Sequence, residues 1–174
     1  MSNRDKLQKP DWMTEEEFAW FKDSTSSLDK IRRDANADVA DYLANPAGRS
    51  SGTSAKGGFP TLLLTTIGRK SGEKRTNPAV FMRHGKDLVV VGSLAGYDQD
   101  PAWVLNLDAN PNCEVQLDFD KYAATSRSAT EAERKALWPD LVKLFPAWGY
   151  FQTQTERPFP IKILTPTGPI PAGR

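Results

Sequence analysis

The stretch that most restricts what this chain can become runs from Leu62 to Phe81. It opens with an apolar run, Leu62 to Thr66, that reads as a buried strand. It then turns at Gly68 and Gly72 and continues as a second extended segment from Arg75 to Met82. Arg69, Lys70, Lys74 and Arg75 crowd that turn, and within it only Glu73 opposes them. Glycine lets backbone N–H groups approach an oxyanion, and the cations add charge-assisted hydrogen bonds, so the turn is a candidate anion cradle. On composition alone a solvated basic hairpin is the favoured reading.

The rest of the chain supplies more strands. His84-Gly85-Lys86-Asp87 predicts a hairpin turn, and Leu88–Ser93 a strand of nearly continuous valine. Asp100-Pro101 opens a helix, with Asp100 as N-cap, and Asn110-Pro111 closes it. Strands follow at Cys113–Leu117 and Tyr122–Arg127, then a helix from Thr130, capped by Glu133 and interrupted or restarted at Pro139. Ile161–Leu164 is a closing strand, and residues 166–174 are expected to fray. Runs of strands joined by hairpins and broken by two helices predict an antiparallel barrel with helical additions over residues 60–165. No Gly-x-Gly-x-x-Gly turn is present, which argues against a Rossmann fold.

Ahead of the barrel, residues 1–45 read as a helical extension. Thr14 and Glu17 form a capping-box signature followed by Phe18 and Phe21, and Leu28, Ile31, Ala35, Val39 and Tyr42 share one stripe of a second helix. Asp and Arg mix on its polar face, which favours docking on the domain or on a partner subunit over a membrane surface. Residues 46–59, rich in Gly, Ser and Pro, read as a flexible linker or a loop that orders on ligand binding.

Charge is nearly balanced, at 23 Lys and Arg against 22 Asp and Glu, so the basic character is local and does not point to nucleic acid. Cys113, the lone cysteine, excludes an internal disulfide and is compatible with a reducing cytosol. The charged N-terminus (Arg4, Asp5, Lys6, Lys9) does not resemble a secretory signal, and no apolar run is long enough to span a bilayer. A cytoplasmic protein is expected, with peripheral contact at the inner membrane face as the less favoured alternative. No His/Cys cluster has zinc spacing, so no metal site is expected, and His84 reads as an exposed turn residue. Protein acid–base or metal chemistry is thus poorly supported; a cofactor carrying its own reactivity would need only binding and orientation.

Several ordered blocks carry a resemblance. Leu64-Thr65-Thr66-Ile67-Gly68-Arg69-Lys70-Ser71-Gly72, then Arg75-Thr76-Asn77-Pro78, then Gly92-Ser93, Asp100-Pro101-Ala102-Trp103-Val104-Leu105-Asn106-Leu107 and Ala109-Asn110-Pro111 resemble the deazaflavin (coenzyme F420)-dependent nitroreductases. The resemblance covers about residues 60–165. It implies the split β-barrel shared with flavin-mononucleotide-binding oxidoreductases, and reduced coenzyme F420 as hydride donor. Gly68, Arg69, Lys70, Ser71 and Gly72 would contact the phospholactate and polyglutamate tail, with Arg75 near the phosphate. Asn77, Pro78 and Val80 would run along the tricyclic ring, Gly92 and Ser93 would approach it, Trp103 would flank it, and Asn106 is a weaker polar contact or cap.

Two departures narrow the expectation. Leu94 stands where the family commonly has a phosphate-holding lysine. Phe145, Trp148 and Phe151 stand where nitroimidazole-reducing members use tyrosines, with Tyr150 one place out of phase. An aromatic wall remains for a flat substrate, while the hydroxyls are lost. Quinones become the first choice of small-molecule substrate, followed by enones and nitroaromatics, with water or Tyr150 as the proton source. The alternatives are flavin mononucleotide in the same fold, and a non-catalytic F420 carrier.

Overall fold

The computed structural model describes residues 6–172. Two N-terminal helices, α1 (Glu15–Ser24) and α2 (Leu28–Ala44), precede the strands β1 (Thr61–Ile67), β2 (Lys74–His84) and β3 (Asp87–Val91). Next come α3 (Ala102–Ala109), β4 (Asn112–Leu117), β5 (Asp120–Ser128), α4 (Glu131–Leu144), α5 (Pro146–Gln152) and β6 (Ile161–Ile170). The strands close a six-stranded barrel in the order β1-β2-β3-β6-β5-β4, and every neighbouring pair, including β1 with β4, is antiparallel. Closure leaves few free strand edges, which is how a small antiparallel sheet avoids edge-to-edge association.

Burial on both faces explains the valine strand. Leu88 and Val90 join Leu62, Leu64, Phe81, Val115 and Leu164 in one cluster, together with Trp103, Val104 and Leu107 of α3. Val89 and Val91 belong to a second cluster with Ile161 and Ile163, covered by Leu137 and Leu141 of α4, Trp148 and Phe151 of α5, and Phe21 of α1. A strand with helices on its outer face has no polar side to display, so period-two alternation disappears.

The capping-box signals of α1 and α4 are realised. Thr14 and Glu17 form the reciprocal capping box of α1, as Thr130 and Glu133 do for α4. Arg127, then the Thr130 N–H, hold the Glu133 carboxyl down at about 2. Tyr42 anchors α2. Its buried hydroxyl lies 3.2 Å from the Thr61 carbonyl and accepts a 3.0 Å bond from the Asp118 N–H. The helical extension therefore packs on the barrel, with the Phe21 ring stacked 5.4 Å from Phe151. Residues 46–59 make turns tied to both neighbours: Arg49 donates to Asp41 at 2.8 Å, and its carbonyl accepts from the Thr61 N–H.

Three local expectations are corrected. The helix does not break at Pro139: α4 runs through it to Leu144, and α5 begins at Pro146. Pro139 is exposed, so water can reach the carbonyl that loses its partner. Asp100 does not cap α3. Pro101 holds the cap position, and the Asp100 carboxylate accepts from Arg157 at 2.7 Å. Residues 166–170 are not a loose tail but the second half of β6. Beyond Leu164 that strand pairs only with β5, so Pro166 and Pro169 sit on an edge where a missing N–H is tolerated. The last two residues of the expected tail, 173–174, lie outside the described residues, as do 1–5 of the helical extension.

Candidate functional site

The cation-rich turn is a tight reversal between β1 and β2. The Gly68 N–H bonds the Glu73 carbonyl at 2.7 Å, the Gly72 N–H bonds the Gly68 carbonyl at 2.8 Å, and Gly72 takes a positive φ of 71°. A Cβ at Gly68 would lie 2.7 Å from the Ser71 hydroxyl and 3.2 Å from the Glu73 carbonyl, so a larger residue there would displace Ser71 and crowd the turn. The turn projects Arg69, Lys70, Lys74 and Arg75, all exposed, over one end of a cavity of about 1140 Å³.

Partners differ among the four cations. Lys74 pairs with Glu114 at 2.6 Å, and Arg75 with Glu73 at 3.1 Å. Arg69 is held by a neutral group: both its backbone N–H and its Nη1 donate to Asn106 Oδ1 at 3.2 Å. Asn106 is itself buried on α3 and donates from Nδ2 to Thr66 Oγ1 at 3.1 Å. Among the described residues, neither Arg69 nor Lys70 has a carboxylate in ion-pair range, unlike the other two cations of the turn. Arg69 and Lys70 therefore leave positive charge uncompensated at the cavity mouth, the condition under which an anionic ligand gains most.

From the turn the cavity follows β2 past Thr76, Asn77, Pro78, Ala79 and Val80. It is bounded across from β2 by Ser93, Leu94, Ala95 and Trp103, and ends at Phe145 and Trp148. Phe145 packs edge-on against Trp148 at 5.1 Å and against Phe59 at 4.7 Å, giving a rigid aromatic end wall.

Of the residues singled out in the sequence, Gly68, Arg69, Lys70, Ser71, Arg75, Asn77, Pro78, Val80, Ser93, Trp103, Asn106, Phe145 and Trp148 all line this one cavity. Four do not. Gly72 serves the turn through its positive φ rather than by lining the cavity. Gly92 packs so closely on α3 that a Cβ would lie 2.8 Å from Val104 Cγ2. Phe151 is a core residue stacked on Phe21. Tyr150 points elsewhere: its ring meets Phe21 edge-on at 5.6 Å and its hydroxyl donates to the Gln8 carbonyl at 2.9 Å. That placement gives no support to Tyr150 as proton donor, or to Phe151 as a substrate contact. The aromatic segment forms a helix, so one face reaches the cavity while Tyr150 and Phe151 leave it, Tyr150 toward Gln8 and Phe151 toward the core.

Docking of the helical extension on the domain is expected from the sequence, but none of its residues is assigned to the site there; in the structure Leu28, Ile31, Arg32, Ala35 and Asn36 of α2 face the cavity. The signal was present: Leu28, Ile31 and Ala35 lie on the stripe predicted for that helix, but its target could not be read. Cys113 takes no part. It is buried in the barrel, and burial pushes its thiol up to about 11, which keeps it protonated and unreactive near neutral pH.

The donor set fits a ligand with a flat ring and an anionic tail. Cations occupy one end, an apolar slot along Pro78–Val80 the middle, and aromatic rings the far end. Residues 37–166 match the family model described as F420H(2)-dependent quinone reductase. The F420H(2)-dependent quinone reductase Rv1261c of Mycobacterium tuberculosis is 32% identical over 113 residues, covering 63% of this chain and 75% of that protein. Rv3178 of the same organism, provisionally named for the same activity, is 35% identical over 107 residues, or 62% of this chain and 90% of its own length. The solved structure of an F420-H2 dependent reductase, FDR-A, matches with a TM-score of 0.56 and 33% identity, over 60% of this chain and 93% of that one.

Proposed function

This chain belongs to the F420H(2)-dependent quinone reductase family and has its split β-barrel fold, and from that premise we propose that it reduces quinones with coenzyme F420. The observation that carries the proposal is the continuity of one cavity from the Arg69–Lys70 turn to the Phe145–Trp148 wall. A cofactor held at the first end and an acceptor held at the second would share a single slot.

Arg69, Lys70 and Arg75 would hold the anionic tail, with Asn106 fixing where the Arg69 guanidinium points. Pro78, Ala79 and Val80 offer a flat apolar surface for a ring, with Ser93 and Trp103 across from it. When bound, reduced deazaflavin would supply a hydride, and with a proton a quinone would become the hydroquinone. Phe145 and Trp148 would stack the acceptor and exclude water from one of its faces. With Tyr150 bonded to Gln8, we assign the proton to water rather than to a protein side chain. Leu94 lines the cavity where a cation would strengthen the tail site, so more of the anchoring falls to Arg69 and Lys70.

The test is a fluorescence titration of coenzyme F420 into the protein, with flavin mononucleotide run beside it. Menadione-dependent oxidation of reduced F420 then follows. Selective F420 binding with turnover is the expected result. Binding without turnover of any acceptor would make the protein a carrier, and selective flavin binding would replace the cofactor.

A further inference from the structure

The segment after β3 is backbone in an unusual state. Leu94 and Ala95, neighbours in sequence and both on the cavity wall, have φ of 42° and 52°, the left-handed region that non-glycine residues seldom adopt. Two such residues in a row persist only where the surroundings over-determine them. The surroundings here centre on one side chain, Arg157, in the loop between α5 and β6.

All three guanidinium nitrogens of Arg157 donate to this segment. Nε donates to the Tyr97 carbonyl at 2.9 Å, and Nη2 to the Ser93 carbonyl at 2.8 Å. Nη1 donates to the Gly92 carbonyl at 3.0 Å and to Asp100 Oδ1 at 2.7 Å. Its side chain is only 13% exposed and lies 4.9 Å over the Phe159 ring. The four acceptors bracket the left-handed pair on both sides. A second strut runs alongside: Thr155 Oγ1 donates to Asp98 at 2.6 Å and accepts from the Arg157 N–H. The same loop is tied to α5, because Gln152 donates to the Arg157 carbonyl at 2.8 Å. Gly96 packs against the end of α5 so tightly that a Cβ would lie 2.7 Å from the Phe151 carbonyl.

We propose that Arg157 is a positioning residue that sets the shape of the cavity, holding the Ser93–Leu94–Ala95 wall at a fixed place relative to α5 and its Trp148. It touches neither cofactor nor acceptor and acts through the carbonyls it gathers. The proposal rests on the function proposed above for what the cavity holds, but not for the clamp itself. Lysine cannot replace it. A single ammonium can satisfy Asp100 and one or two carbonyls, but not acceptors spread across a planar fork.

The experiment compares the wild type with Arg157→Lys and Arg157→Ala, and with Arg134→Ala as a structural control. Arg134 donates to the Phe159 carbonyl at 2.6 Å, so its loss removes a hydrogen bond from the same loop without touching the clamped turn. Three readouts are taken: melting temperature, hydrogen exchange of the amides at residues 94–97, and F420-dependent quinone reduction. Arg157→Lys should hold its melting temperature near that of Arg134→Ala. Its amides at 94–97 should nevertheless exchange about ten-fold faster or more, since local opening is now easier. Its kcat/KM should fall by roughly ten-fold or more, as reaction geometry is sensitive to displacements near 1 Å. Wild-type exchange and wild-type kcat/KM in Arg157→Lys would overturn the proposal, as would an equal loss in Arg134→Ala. Exchange needs no ligand. If the wild type fails to bind F420, the proposed function falls, while protection at 94–97 still decides whether the clamp exists.

Discussion

At one end of the cavity Arg69, Lys70 and Arg75 come from a single turn, stand in solvent and support little of the barrel. Toward the other end Val91, Phe145 and Trp148 converge from separate segments, and Val91 and Trp148 are also members of the second core cluster. The basic end can therefore change with little effect on the fold, whereas the aromatic end cannot. The largest expected effect follows from that difference. Trp148→Ala should remove about 3–5 kcal/mol of stability, the usual range for truncating a buried aromatic, as well as weakening the acceptor site. Chemical denaturation checks this, and a loss below about 1 kcal/mol would show that Trp148 belongs to the cavity and not to the core.

The complementary change is Arg69→Glu with Lys70→Glu. Its melting temperature should move by no more than a few degrees, as expected for exposed positions. F420 affinity should fall about a hundred-fold or more, since two charge-assisted contacts become repulsive. Unchanged affinity in the fluorescence titration would reduce the turn to a solvated hairpin. Asn106→Ala lies between the two cases, because Asn106 is buried yet supports the cation turn. We expect about 1–3 kcal/mol lost in stability, from leaving Thr66 and the Arg69 N–H without their partner. Affinity should drop by roughly ten-fold as the guanidinium loses its orientation.

The same contrast explains what the sequence disclosed. The hairpin that carries Arg69 and Lys70 is contiguous, so its strands, glycines and charges could be read together. The capping boxes at Thr14 and Thr130 were legible for the same reason, since each spans one helical turn. The aromatic end depends on helix phase: Trp148 reaches the cavity while Tyr150 turns to Gln8 and Phe151 into the core, and no short motif reports that rotation. Arg157 is further from any local signal. Its partners at Gly92, Ser93, Tyr97 and Asp100 are about 60 residues away in sequence, and three of the four are carbonyl groups that leave no residue-type trace. The β6 error was of another kind. Pro166 and Pro169 read as strand breakers until the topology put them on an edge, where the missing N–H costs little.

The smallest predicted effect separates the cations of the turn from one another. Glu73 holds Arg75 at 3.1 Å and Glu114 holds Lys74 at 2.6 Å, so each carboxylate competes with an incoming anion for its partner. The Glu73–Arg75 pair is exposed on both sides, at 70% and 58%, which limits its strength to about 0–1 kcal/mol. Glu73→Gln should therefore raise F420 affinity by no more than several-fold at low salt. The gain should fade as ionic strength rises and screens the competing charge. Glu114→Gln frees Lys74 instead. If Arg75 is the residue at the phosphate, Glu73→Gln gives the larger gain; equal gains would mean the turn acts only as a diffuse positive field. A larger gain from Glu114→Gln would move the anchor to Lys74 and shift the predicted path of the tail toward β4.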